Sequence, residues 1–296
     1  MRLLHTWSAA LRCCARTLPL RAWLLLGGLT LSVASPGWGA NGLEATSSRA
    51  ARQEAIQSIP FDALSPEQAH AVAAVLDDTT IFRRLPTEVI QCDPRLFYYL
   101  VQHPDVLVNI WEVMGISNVS LTRSGEGTFR ASDGKGTLGS IHVLHNRHDK
   151  QVLLVEGEYD GPMFPRPVKA KCVVLLRSGY LRETDGRYYV TGRMDAFIQL
   201  DRVGIELLAK TFQPLVGKTA DHNFTETMGF VSRLSRAAER NPDGVDRLAP
   251  KLTRVAPESR QMLVKIAHEM AERSDEQQAA YRTEPSVPSD EETLMR

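Results

Sequence analysis

The sequence predicts an α+β fold in which a curved antiparallel seven-stranded sheet wraps around a long C-terminal helix, with extra helices at both ends. Three observations carry this. Apolar residues recur at a helical period up to Gly115 and alternate beyond it. Six alternating segments then follow one another, separated by short turn signals such as Asp133-Gly134-Lys135-Gly136 and Glu183-Thr184-Asp185-Gly186, the pattern of an antiparallel meander. Last, Val203 to Glu239 carries a long apolar stripe at helical spacing, placed to close the sheet.

Taken in order, the chain opens on an arginine-bearing stretch and an apolar run, Ala22 to Ala34. That run is too short to cross a hydrocarbon core of about 30 Å as a helix, so residues 1–39 read as a cleaved signal peptide, with an uncleaved anchor as the alternative. Residues 40–85 read as a linker and one short helix, announced by Ser65-Pro66-Glu67-Gln68: a serine cap, proline at the first helical position and glutamine at the third. Thr87 to Cys92 predicts the first strand. Asp93-Pro94 caps a helix carrying Leu96, Phe97, Leu100 and Val101, and His103-Pro104 breaks it from a second, bearing Ile110 and Trp111.

Strands are predicted at Ser117–Arg123, Gly127–Ala131, Thr137–His145, Gln151–Asp160, Val168–Tyr180 and Arg187–Leu200. Alternation assigns Leu153, Val155, Tyr159, Val174, Tyr188, Met194 and Ile198 to an oily face, and Glu156, Glu158, Lys169, Lys171, Arg193 and Asp195 to a charged, solvent-facing ladder. Val173, Leu175 and Phe197 fall among the charges, which predicts a cover there: terminal helices or a second subunit. The closing stripe runs through Phe212 and Leu215, is disturbed at Pro214 and Gly217, and resumes at Phe224 and Met228. Residues 241–273 read as a helical extension, and the polar, charged residues from Ser274 onward as a disordered tail.

Composition narrows function by exclusion. The 35 basic residues balance 35 acidic ones, but without the leader arginines Arg2, Arg12, Arg16 and Arg21 the count is 31 against 35, a net of about −4. That is not the basic footprint of a nucleic-acid partner. Leader removal leaves Cys92 and Cys172, either one disulfide or two buried thiols. No zinc-type cysteine spacing, phosphate-cradling glycine loop or GxSxG elbow occurs. His142, His145 and His148 have a metal-like spacing, yet residues three apart on a strand point to opposite faces, so they read as an exposed hairpin cluster. Asp221-His222 reads as a helix cap. Asn118-Val119-Ser120 and Asn223-Phe224-Thr225 match the glycosylation sequon. No metal, cofactor or catalytic residue is predicted.

The entry segment EVIQCDPRLFYYLVQHPDVLVNIWEV and the exit segment FIQLDRVGIELLAKTFQPLV, with the element order between them, resemble the START-like or SRPBCC superfamily with its helix-grip fold, over residues 86–240. The resemblance implies a cavity between sheet and last helix for a lipid, polyketide or other apolar small molecule, lined by Trp111, Leu153, Val155, Tyr159, Val174, Tyr188, Met194, Ile198, Phe212, Leu215, Phe224 and Met228. It implies an exported binding protein, periplasmic or secreted, touching membranes only transiently. The same side chains could instead fill one another's space. An enzyme of cyclase or hydrolase type on the same fold, and a non-catalytic cell-envelope interaction protein using Val173, Leu175 and Phe197, are the alternatives; oligomeric state is left open.

Overall fold

The computed structural model describes residues 43–162, 166–210 and 213–283, with the side chains of 207–210, 213–216 and 277–283 excepted. Phe212 therefore lies outside the described residues, as do the predicted signal peptide and the end of the tail. Eight strands form one open antiparallel sheet: β1 (Ile81–Arg84), β2 (Glu88–Gln91), β3 (Ser120–Gly125), β4 (Thr128–Ser132), β5 (Thr137–Asn146), β6 (Lys150–Tyr159), β7 (Val168–Arg182) and β8 (Tyr188–Leu200). Their order is β1-β8-β7-β6-β5-β4-β3, and β2 shares the β1 edge of β8. The predicted seven strands become eight because Ile81-Phe82-Arg83-Arg84 pairs with β8 although half of it is arginine. Pro86, which has no N–H to give the ladder, parts β1 from β2.

The described helices are α1 (Arg49–Gln57), α2 (Pro66–Asp77), α3 (Pro94–Gln102), α4 (Pro104–Val113), α5 (Arg202–Lys210), α6 (Gln213–Arg240), α7 (Pro242–Leu248) and α8 (Pro257–Thr283). Ser65 and Gln68 make the reciprocal capping box of α2, and Asp93 caps α3. Gly115, at φ 67°, ends the turn after α4. Three helical boundaries differ from the prediction. Residues read as linker form α1, capped by Ser48. The disturbance read at Pro214 and Gly217 does not interrupt the backbone there, since both lie inside α6, helical from Gln213; residues 211 and 212 lie outside the described residues. Helix α8 continues past Ser274 to Thr283, through alanine, glutamine and glutamate that favour helix. No helix among the described residues is long and apolar enough to cross a membrane.

Two cores flank the sheet. The inner one joins α3, α4, α6 and α8 to Ile90 and Val190. The outer one sets Ala51, Ala55 and Ile59 of the α1 region and Val72, Val75 and Leu76 of α2 on Val152, Val173, Leu175 and Phe197, all four at 0% exposure. The cover expected over Val173, Leu175 and Phe197 is thus the pair of N-terminal helices, and those side chains present no surface for association. Among them runs a charge network. Asp195, read as solvent-facing, is 0% exposed: it accepts from Arg84 at 2.6 Å and Arg177 at 2.8 Å, and Glu54 of α1 accepts from both arginines. Only the outer part of the ladder is solvated, with Lys171–Glu156 at 2.7 Å and Lys169–Glu158 at 3.7 Å.

The two cysteines among the described residues, Cys92 and Cys172, are free. Cys92 donates its backbone N–H to Tyr188 and Cys172 lies opposite Ile198. Ten residues of β8 separate those two positions, about 33 Å of strand, far beyond disulfide reach.

Candidate functional site

The sheet is sealed behind and accessible in front. Register lines up two apolar rows across the inner face of β5 to β8: Val143–Leu153–Val174–Ala196 and Ile141–Val155–Cys172–Ile198. Neighbouring strands are about 4.8 Å apart, so each row runs about 14 Å. All eight residues are half-buried and belong to neither core, whereas Val152, Val173, Leu175 and Phe197 on the other face are wholly covered. The next row, Gly139–Gly157–Ala170–Leu200, begins with three residues that carry little or no side chain, so the wall steps down there into a trough. Burial pushes the Cys172 thiol up to about 12. Apart from that thiol the two rows are hydrocarbon, a surface suited to apolar contact.

The predicted lining residues divide into groups. Leu153, Val155, Val174 and Ile198 form the trough. Phe224 and Met228 are 7% and 3% exposed and belong to the inner core, where Met194 packs beside them. They seat α6 on Gly192: a Cβ there would lie 2.7 Å from Met228 Cε and 3.6 Å from Phe224 Cζ. Trp111 is half-buried on α4, edge-on to Phe230 at 5.9 Å. Tyr159, 8% exposed, ends β6 with its ring over Gly161. Tyr188 lies at the opposite end of the sheet under Arg182 and lines a separate cleft of about 60 Å³ with Arg187, Arg236 and Arg273. Leu215 lies in α6 by its backbone, its side chain undescribed. Sequence reasoning passes over Ile141 and Val143, whose parity on β5 is the signal that finds them.

A bulge after Val143 also corrects the histidines. It places His142 opposite Leu154 and His145 opposite Val152, hence on one outer face, while His148 stacks on Tyr180 at 4.0 Å. Among the described residues no three potential ligands converge on a metal site. Asp221 lies inside α6 and accepts from Arg83 Nε at 3.0 Å, tying the helix to β1 instead of capping it.

Fold and site together define an α+β protein whose open antiparallel sheet and C-terminal helix are consistent with a helix-grip architecture, carrying partly accessible apolar rows on the inner face of the sheet. No family model and no curated protein matches the chain. Among 28 matching chains of solved structures is a conserved protein from Geobacillus kaustophilus, at 16% identity and TM-score 0.36 over 51% of this chain and 93% of that one. Another is dicamba monooxygenase bound to dicamba, at 12% identity and TM-score 0.30 over 67% of this chain and 59% of that one. Likenesses this distant carry no argument about function.

Proposed function

We propose that this is a START-like binding protein that takes up an apolar small molecule, such as a lipid, against the trough on β5 to β8. The observation that carries the reading is the asymmetry of the sheet: side chains of the same type are sealed on the outer face and half-accessible in two adjoining rows on the inner one. Each 100 Å² of apolar surface withdrawn from water there contributes roughly 2.5 kcal/mol before the costs of association. A bound hydrocarbon is the natural complement of such a wall, since water gains no hydrogen bonds from it.

The test is titration with the fluorescent apolar probe N-phenylnaphthylamine. The wild-type protein is expected to bind it saturably. Val174→Arg, which sets a guanidinium in the middle of a row, should weaken binding about tenfold or more by burying an unpaired charge. Val89→Arg, at an exposed position of β2 on the outer face, is the control and should bind normally. A probe that fails to saturate, or that binds Val174→Arg as tightly as wild type, sinks the reading.

A further inference from the structure

At one end of the trough the inner face changes from hydrocarbon to amide. The inner-facing residue of β6 next to Leu153 is Gln151, 2% exposed; Asn146 of β5 stands directly opposite it, and Ser178 of β7, 8% exposed, lies diagonally across, two positions from the Leu176 that faces Gln151. Gln151 Oε1, Asn146 Oδ1 and Ser178 Oγ are all buried without a hydrogen-bond partner among the described residues. Three such atoms on adjacent strands are costly, because each has given up water for nothing.

We infer that this polar end receives the head of the bound molecule and that the head is a neutral hydroxyl, so that the ligand is a long-chain alcohol or a similar hydroxylated lipid. The inference rests on the apolar-binding reading and deepens it. The amide of Gln151 cannot be turned at will: its NH₂ donates to the Arg147 carbonyl, which can only accept, and so Oε1 is the end left without a partner. The Tyr180 hydroxyl gives its own proton to the His148 carbonyl at 2.8 Å, so towards Ser178 it can only accept, and the serine hydroxyl is free to turn between that oxygen and the head. No hydrogen bond among the described residues fixes the Asn146 amide, which can offer either end.

A hydroxyl meets all three groups, donating to Gln151 and accepting from Ser178 or Asn146. A carboxylate is acceptor-only and would set its charge against Gln151 Oε1. The inner-face arginines that could offset it, Arg83 and Arg123, already face Asp221 and Asp105. An ammonium would donate correctly but would lose its hydration without a carboxylate to replace it, since Asp149 is exposed on the hairpin turn.

The test is displacement of N-phenylnaphthylamine from the full-length protein at neutral pH by dodecanol, dodecanoate and dodecylammonium, equal in chain and different in head. Dodecanol should half-displace the probe at about tenfold lower concentration than either ion, the worth of a buried hydrogen bond together with the absence of a buried charge. Because an alcohol is also the least soluble of the three, the decisive quantity is how the ratio changes on substitution. Gln151→Leu, of similar volume and unable to hydrogen-bond, should shrink the dodecanol-to-dodecanoate preference about tenfold while the probe still binds. Ser178→Ala leaves the hairpin bond of Gln151 intact and should shrink it about threefold. Equal displacement by an ion, or a preference unmoved in both variants, overturns the inference and leaves these atoms to water alone. Probe binding without head preference overturns it by itself; a wild-type protein that binds neither probe nor alcohol overturns the underlying reading as well.

Discussion

Gly192 shows how one position without a side chain sets the height of a helix. It stands in the inward row of β8 between Val190 and Met194, and its bare Cα is what lets Met228 and Phe224 bring α6 down onto the strand. The Met228 methyl that a Cβ would strike is the end of a flexible chain, so Gly192→Ala should fold and lose about 1–2 kcal/mol, read from the urea midpoint. Adding Met228→Leu, which withdraws that methyl, should recover most of the loss; an unchanged midpoint in the single variant would show that α6 does not rest there. The glycine itself is visible in the sequence as an interruption of alternating residues. Its purpose is not, because the side chain it makes room for lies 36 positions further on. Phe224 and Met228 were legible as inward-facing for the same reason that their role was not: periodicity gives direction, while the distance between helix and sheet decides whether an inward side chain lines a space or fills it.

At the scale of elements, strand parity was legible and depth was not. Alternation alone separates Leu153, Val155 and Val174 from Val173, Leu175 and Phe197 correctly. It nevertheless suggests that the face with charges is the wet one, and the reverse holds at its centre, where Asp195 is fully covered. Charge becomes tolerable at that depth because Arg84 and Arg177 neutralise Asp195 and because Glu54 arrives from α1, 30 residues before Arg84 and 123 before Arg177. Hydrogen bonding from Arg177, opposed by partial burial and reinforced by Arg84, holds the Glu54 carboxyl down from 4.5 to about 2. A depressed carboxyl stabilises the fold fully above its unfolded value near 4.5, and that contribution is lost as pH falls through about 2. Glu54→Gln should therefore be less stable than wild type by about 1 kcal/mol at neutral pH, solvent screening of this half-exposed group keeping the figure small. The two denaturation curves should converge as pH is lowered to about 2; a gap that stays constant with pH would contradict the assignment. Asp195→Asn, which leaves Arg84 and Arg177 to share the single carboxylate of Glu54, should cost about 3 kcal/mol.

The whole molecule is a three-layer arrangement, α1 and α2 behind the sheet and α3, α4, α6, α7 and α8 associated with its inner side, and the rear layer is what makes the front consequential. With Val152, Val173, Leu175 and Phe197 covered, the accessible apolar rows of the sheet's centre lie on the inner side. The α+β class, the antiparallel meander and α2 of this layer could be read from the sequence, but α1 could not, since the face it presents to the outer core includes Ala51 and Ala55, too small to register as an oily stripe. Small side chains there allow the helix to lie close to the strands, and close approach is also a vulnerability. Ala55 is 0% exposed, so Ala55→Arg must either drive a long cation into a full core or lift α1 away. The second outcome is expected, because Glu54 can keep one arginine partner while the helix moves outward. Limited proteolysis should then cut the 58–65 connection between α1 and α2 at least about tenfold faster than in wild type, as local opening grows by more than about 1.4 kcal/mol. N-phenylnaphthylamine should gain a second class of sites on the uncovered Val173, Leu175 and Phe197, distinguished from the trough because Val174→Arg leaves them intact. Unchanged cleavage together with a single class of sites would mean that the rear layer is not held through Ala55, and that the sealing of the outer face depends on α2 and the charge network instead.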